Sequence, residues 1–304
     1  MLIDRYGRVI TNLRVSVTQK CNLSCIYCHR EGHKSVKSKE LEPDEIAKIC
    51  EVFRELGIKK LKITGGEPLI RKDLLEILSV LPDFDEISIT TNGTILKKFA
   101  FDLKELGVDR VNVSLDTLNE DKYKFITGFS KLKSVVEGIY SAYDAGLHPI
   151  KLNMVVLNGI NESDVNDLIE FTKQFNKDKI SVILQVIELL DIFKPDLRKY
   201  YFDITKIELK FKEKAKKIIT RRMHKRKQYV FDDFAIEFVK PVNNFEFCSA
   251  CNRIRVTADG KIKPCLLRND NLVNVRNLDR DGIKNAILKA VKLREPFFKG
   301  KCYL

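Results

Sequence analysis

At 304 residues the chain is long enough for one large α/β domain, or one domain with an appendage, around a sizeable core. Its 32% charged and 44% hydrophobic residues are ordinary for a globular protein, no apolar run approaches the length of a membrane span, and the opening "MLIDRYGRVITNL" lacks the apolar core of a signal peptide, so a membrane or secreted protein is excluded and a cytoplasmic one expected. The net charge of +13 points to polyanionic partners: nucleotides, nucleic acid or acidic surfaces.

From Leu13 to about Leu190 a short strand followed by an amphipathic helix recurs. Strands are expected at 13–18, 60–64, 86–91, 110–115, 150–157 and 180–189. Helical spacing lies between them, as in Ile46, Ile49, Cys50, Phe53 and Leu56, or Val135, Val136, Ile139, Tyr140 and Tyr143. Alternating β and α units predict a parallel sheet with helices packed outside, and six units predict an open or partial barrel rather than the closed eight-stranded one.

Parallel strands buried on both faces read as continuous apolar runs, and these do not. Arg14, Ser16 and Thr18 alternate with apolar residues, as do Lys62 and Thr64, Asn112 and Ser114, Lys151 and Asn153, and Gln185. Period-2 alternation sends such side chains to one face. An antiparallel sheet with one wet face gives the same pattern, but the intervening helices favour parallel crossovers. The expected result is a curved sheet whose concave face is a polar, cationic cavity for an anionic ligand.

Beyond about residues 191–200 the rhythm breaks, so the chain divides into a barrel over 1–195 and a smaller α+β region over 196–304 that closes the barrel mouth. In this region 211–227, "FKEKAKKIITRRMHKRK", reads as one helix with a solvated basic face, a polyanion contact being the alternative. A strand is expected at 234–240 and a hairpin at 253–267, turning at Asp259 and Gly260.

The eight cysteines are grouped rather than scattered, and no export signal favours disulfides. Cys21, Cys25 and Cys28 form one close set; Cys248, Cys251 and Cys265 form another across the hairpin; Cys50 lies on an apolar helical stripe, and Cys302 has no assigned role. A structural zinc site wants four ligands, and His29 or His33 would have to supply the fourth. Three thiolates on a four-iron cluster instead leave one iron open to an exogenous ligand. The second set, read alone, fits an incomplete zinc ribbon as well as a cluster; beside the first it points to two iron-sulfur centres.

The run "CNLSCIYC" resembles the CxxxCxxC signature of radical S-adenosylmethionine (SAM) enzymes, and "TGGEP" (64–68) resembles that superfamily's motif for the methionine amino group. The finer resemblance is to the GTP 3′,8-cyclase (MoaA) family of molybdopterin biosynthesis. It is carried by "LRVSVTQKCNLSCIYC", "ITGGEPLIRKDL", "TTNGTIL", "VNVSLDTL", "KLNMVVLNGIN" and "CSACNRIRVTADGKIKPCL" over about residues 1–300. It implies two [4Fe-4S] clusters, SAM as cofactor, and conversion of GTP to 3′,8-cyclo-7,8-dihydro-GTP after removal of the 3′ hydrogen by a 5′-deoxyadenosyl radical, with placement rather than acid–base chemistry supplied by the protein.

By that resemblance Cys21, Cys25 and Cys28 hold the SAM cluster and Cys248, Cys251 and Cys265 the second. Tyr27, Gly66, Ser114 and Leu190 meet SAM. Arg14, Lys62, Thr91, Lys151, Arg253, Ile254 and Arg255 meet GTP, with Arg253 and Arg255 counted among the catalytic residues. Implied partners are an electron donor such as flavodoxin or ferredoxin and cyclic pyranopterin monophosphate synthase as recipient of the product; a homodimer is compatible, and nucleic acid is not expected. Lys62 replaces an Arg of many members, Leu190 a Met, and the chain ends "FFKGKCYL" where many members have a double glycine. A peptide-modifying radical SAM maturase is the alternative activity.

Overall fold

The computed structural model describes residues 1–32, 39–241 and 244–297. His33, Cys302 and the C-terminal tail lie outside them. Strands β1 (Leu2–Ile3) and β2 (Val9–Ile10) form a small antiparallel pair. There follow β3 (Asn12–Thr18), β4 (Lys60–Gly65), β5 (Glu86–Thr91), β6 (Arg110–Ser114), β7 (Ile150–Val156) and β8 (Val182–Glu188), the six expected strands. The C-terminal third adds β9 (Lys217–Thr220), β10 (Lys227–Val230), β11 (Ala235–Val239), β12 (Arg253–Val256), β13 (Lys261–Lys263) and β14 (Val273–Asn274).

Among the described residues these twelve form one sheet in the order β14-β13-β12-β3-β4-β5-β6-β7-β8-β11-β10-β9. Its central strands run parallel, and β9 and β14 do not meet, so the barrel is open. The C-terminal region contributes a parallel strand to each side of the six-stranded core: β12 pairs with β3, and β11 with β8. It therefore continues the barrel sheet while carrying the expected hairpin, β12–β13, with Gly260 at φ 81° in its turn.

Helices α1 (Pro43–Glu55), α2 (Leu74–Ser79), α3 (Ala100–Glu105), α4 (Glu120–Thr127), α5 (Leu132–Asp144) and α6 (Val165–Lys173) connect the core strands; α7 (Thr205–Lys212), α8 (Phe245–Ser249) and α9 (Arg280–Lys292) follow. In α1, Ile46, Ile49, Cys50, Val52 and Phe53 are buried, and a capping box between Glu42 and Glu45 starts the helix. These residues pack against the outward apolar side chains of the strands, such as Leu13, Val15, Leu61 and Ile63. Burial of each such side chain stabilises the fold by about 1.5–3 kcal/mol. Tyr140, expected on the buried stripe of α5, is exposed and donates its hydroxyl to Gln174 Oε1 at 2.6 Å.

One element differs in kind. Residues 211–227 are not one helix: α7 ends at Lys212 and the chain enters β9, a short turn and β10. The β-branched run Ile218, Ile219, Thr220 suits a pleated edge strand, and Ile218 pairs with Tyr229 across the ladder. In "KEKAKK" the like pair Lys212 and Lys216 offsets the opposite pair Glu213 and Lys217, so i,i+4 charge pairing gives a helix little net support.

Candidate active site

The loop after β3 carries the first cysteine set and is fixed from several sides. Gly66 N–H donates to the Thr18 carbonyl and Glu67 N–H to the Lys20 carbonyl, each at 2.8 Å, so the end of β4 lies against the start of the loop. A Cβ on Gly66 would stand 2.1 Å from the Lys20 oxygen, which is why the close approach takes glycine. Farther along, Ser24 and Ile26 N–H groups donate to the Thr127 and Ile126 carbonyls at the end of α4, both at 2.9 Å. Asn22 and Asn92 join their amides at 2.7 Å. The Sγ atoms of Cys21 and Cys28 each accept a backbone N–H at 3.4 Å, from Leu23 and Arg30.

Two buried carboxyls brace this loop. Glu67, fully buried, accepts from Leu69 N–H at 3.0 Å, Thr91 hydroxyl at 2.7 Å and Asn92 N–H at 2.5 Å; burial pushes it up to about 7 against those donors. Asp116 accepts from the Tyr27 hydroxyl at 2.7 Å and Val155 N–H at 2.8 Å, tying the residue before the last cysteine to β7. Burial pushes Asp116 up to about 6 although both donors pull the other way. Folded Asp116 thus holds its proton to higher pH than the unfolded chain does. Between about pH 4 and pH 6 the folded state binds more protons, and stability falls as pH rises, by about 3 kcal/mol over that window. In Asp116→Asn this part of the slope should disappear, leaving the contribution of Glu67. Urea unfolding of both proteins at pH 4.5, 6 and 7.5 checks it, and parallel profiles would contradict the assignment.

The second cysteine set is held by arginines. Arg294, at the end of α9 and buried, donates to the Cys251 carbonyl at 2.7 Å and the Pro264 carbonyl at 3.1 Å, and pairs with Asp4 Oδ2 at 2.9 Å. Arg8 pairs with the same Asp4 oxygen at 2.7 Å and donates to the Cys248 carbonyl at 3.0 Å. Burial would raise the Cys251 thiol, but the positive charges of Arg294 and Arg255 outweigh it and bring it down to about 7. The Cys25 thiol has no such neighbours, and burial pushes it up.

Both sets open on one cavity of about 430 Å³ inside the barrel, within the range of nucleotide-sized sites. All six grouped cysteines line it, with Arg14, Lys62, Lys151, Arg253 and Arg255, and with Tyr27, Gly66, Ser114, Leu190 and Thr91. Ile254 does not: its side chain is fully buried in the outer core, out of phase with its two arginine neighbours. Register explains the row of cations, since Arg255 stands beside Arg14 on β3, Arg14 beside Lys62 on β4, and Lys62 beside Ser88 on β5. Thr18 leaves the pattern after the register shift in β3 and gives its hydroxyl to Glu40 at 2.7 Å.

The cavity is charged and incompletely satisfied. Lys62 Nζ donates to Asn112 at 2.9 Å and meets no carboxylate among the described residues. Burial, with Arg110 and Arg14 nearby, holds its ammonium well below the ordinary lysine range. Arg14 is paired with Glu31 at 3.0 Å. The Nε atoms of Arg14, Arg226 and Arg255 and the hydroxyl of Thr90 are buried with no hydrogen-bond partner among the described residues. Such a set of donors costs free energy until a ligand rich in acceptor oxygens meets it.

The chain matches the family described as "Radical SAM superfamily" over residues 15–172 and that described as "Molybdenum Cofactor Synthesis C" over residues 182–299. It is 52% identical over 300 residues to a probable GTP 3′,8-cyclase of Archaeoglobus fulgidus, spanning 99% of this chain and 100% of that protein. It belongs to the GTP 3′,8-cyclase family of the radical SAM superfamily. A probable GTP 3′,8-cyclase of Methanocaldococcus jannaschii is 47% identical over 303 residues, covering 98% of this chain and 99% of the other. Among solved structures, anSMEcpe with bound AdoMet superposes with a TM-score of 0.61 at 17% identity over 90% of this chain and 80% of that one. Streptococcus suis SuiB bound to precursor peptide SuiA gives 0.64 at 15% identity over 86% of this chain and 60% of that one. These two likenesses concern the fold, a partial barrel.

Radical SAM membership implies a [4Fe-4S] cluster and SAM, and the chain's residues fit them. The seven described cysteines are free thiols. Among the described residues no three His, Cys, Asp or Glu side chains converge on one ion-sized position. No helix among the described residues is long and apolar enough to cross a membrane. Sequence reading passed over Asp116, Arg294, Arg226 and Arg110. Of these, Arg110 carried a signal, because it precedes Asn112 and Ser114 on the same face of β6.

Proposed function

We propose that this chain converts GTP to 3′,8-cyclo-7,8-dihydro-GTP, the first step of molybdenum cofactor biosynthesis. The observation that carries the reading is one cavity lined by two separate three-cysteine sets and by a row of cationic side chains in β-sheet register. When bound, the cluster held by Cys21, Cys25 and Cys28 together with SAM supplies a 5′-deoxyadenosyl radical able to take the 3′ hydrogen of GTP, whose 3′ carbon then bonds to C8.

The chain's own residues supply placement. Gly66 gives backbone access beside the loop, Ser114 and Leu190 line the wall, and Tyr27 is held by Asp116, as expected for contacts to SAM. Arg14, Lys62, Lys151, Arg253 and Arg255 line the cavity where the triphosphate would lie; the guanidinium groups of the three arginines offer paired donors to phosphate oxygens, and the two lysines offer ammonium contacts. Thr91 is engaged by Glu67, so its role is to hold the β5 end, and the partnerless Thr90 hydroxyl beside it is the freer contact. Cys248, Cys251 and Cys265 would hold a second [4Fe-4S] cluster, whose open coordination position would take the purine. An external electron donor and a downstream synthase complete the reading. A peptide-modifying reaction is less well supported, because a peptide gives no reason for five cationic side chains lining one cavity.

Anaerobic incubation with SAM and a reductant should release 5′-deoxyadenosine at a rate that rises with GTP and not with peptides. SAM cleavage indifferent to GTP would contradict the reading.

A further inference from the structure

The basic segment 211–227, for which the sequence offers a polyanion contact as the alternative to a solvated helix, places one side chain at the cavity wall. After β9 the chain turns through His224 and Lys225, two non-glycine residues with φ of 62° and 50°, and delivers Arg226 to the cavity wall. Left-handed backbone at such residues is costly and clusters at functional sites. The Arg226 side chain is 15% exposed. Its Nη1 donates to Gln185 Oε1 at 2.8 Å on β8, and its Nε is buried with no partner among the described residues.

Charge bookkeeping around it does not close. The fully buried Glu237 on β11 receives Lys151 Nζ at 2.6 Å and Arg221 Nε at 3.1 Å, while Arg226 Nη1 stands at 3.7 Å, beyond hydrogen-bond reach. One carboxylate therefore faces three cations, and Arg226 is the one whose hydrogen bond goes to a neutral amide. Gln185 and Glu237 face each other in register, so the pair fixes where the guanidinium can lie. A buried guanidinium that shares its carboxylate with two closer cations, and has a donor to spare, is unfavourable unless an anion completes it.

We infer that Arg226 is a further phosphate-binding residue of this site, supplied by the β9–β10 hairpin and contacting the substrate's polyphosphate. Gln185 aims it, and Glu237, already hydrogen-bonded to Lys151 and Arg221, leaves its charge only partly balanced. The inference rests on the reading of the substrate as GTP, but it concerns the polyphosphate alone, so the two can be separated by experiment.

Isothermal titration of GTP, ATP, tripolyphosphate and guanosine into anaerobically reconstituted wild type, Arg226→Gln and Arg226→Lys tests it. Loss of one charged phosphate contact should weaken GTP and tripolyphosphate about 10–100-fold in Arg226→Gln, with partial recovery in Arg226→Lys and guanosine unchanged. Binding of GTP and tripolyphosphate within twofold of wild type would overturn the inference. Should Arg226→Gln fail to fold, Arg226→Lys decides: severalfold weaker tripolyphosphate binding supports it, and wild-type binding overturns it. Equal wild-type affinity for ATP and GTP, with the Arg226 effect intact, would uphold the inference while counting against the GTP reading. No polyphosphate binding by wild type would overturn both.

Discussion

Replacing Arg294 by methionine is expected to destabilise the protein by about 3–5 kcal/mol, the usual cost of breaking a buried ion pair by removing one partner. The reason is geometric. Arg294 is the shared donor for the Cys251 and Pro264 carbonyls and the partner of Asp4, with both side chains almost wholly inaccessible. Methionine fills much of the volume but takes a donor from these carbonyls and leaves Arg8 as the one cation on Asp4 among the described residues. The same change should loosen the second cysteine set and lower the iron retained after reconstitution. Urea unfolding and iron analysis of the one variant report both effects. A loss under about 1 kcal/mol with full iron would show that Arg294 anchors nothing.

The second large effect concerns the thiols themselves. Wild type reconstituted anaerobically should hold about eight irons, and Cys248→Ala/Cys251→Ala/Cys265→Ala about four. Because the first set lies on a separately braced loop, the triple variant should still cleave SAM slowly while losing cyclisation of GTP. Unchanged iron in the variant, or zinc recovered in place of iron, would contradict the assignment of the second centre. Alanine at three positions also removes whatever stability the metal lends, so the comparison is made with reconstituted protein in both cases.

Much of this was legible in the residues. The six core strands were readable because apolar alternation and intervening helical spacing agree, and the polar members of that alternation, Arg14, Lys62, Asn112, Ser114, Lys151 and Asn153, do line the cavity. Two hairpin strands were readable from Asp259 and Gly260. What misled was charge density. In 211–227 lysines and arginines hid a β-branched run, and a short edge strand has too few positions to show a period. At Ile254 the alternation that sends Arg253 and Arg255 inward sends the side chain outward into the core. Asp116 and Arg294 could not be read, because their partners lie 89 and 43 residues away and only the folded sheet brings them together. Arg226 had no motif either; its importance comes from being buried beside Gln185 and Glu237.

The central claim is that the radical formed in this cavity takes the 3′ hydrogen of GTP. Turnover of GTP deuterated at C3′, under anaerobic conditions with SAM and a reductant, tests it most directly. The expected result is 5′-deoxyadenosine carrying one deuterium, formed together with a cyclised nucleotide that has lost it. Unlabelled 5′-deoxyadenosine with intact GTP would contradict it.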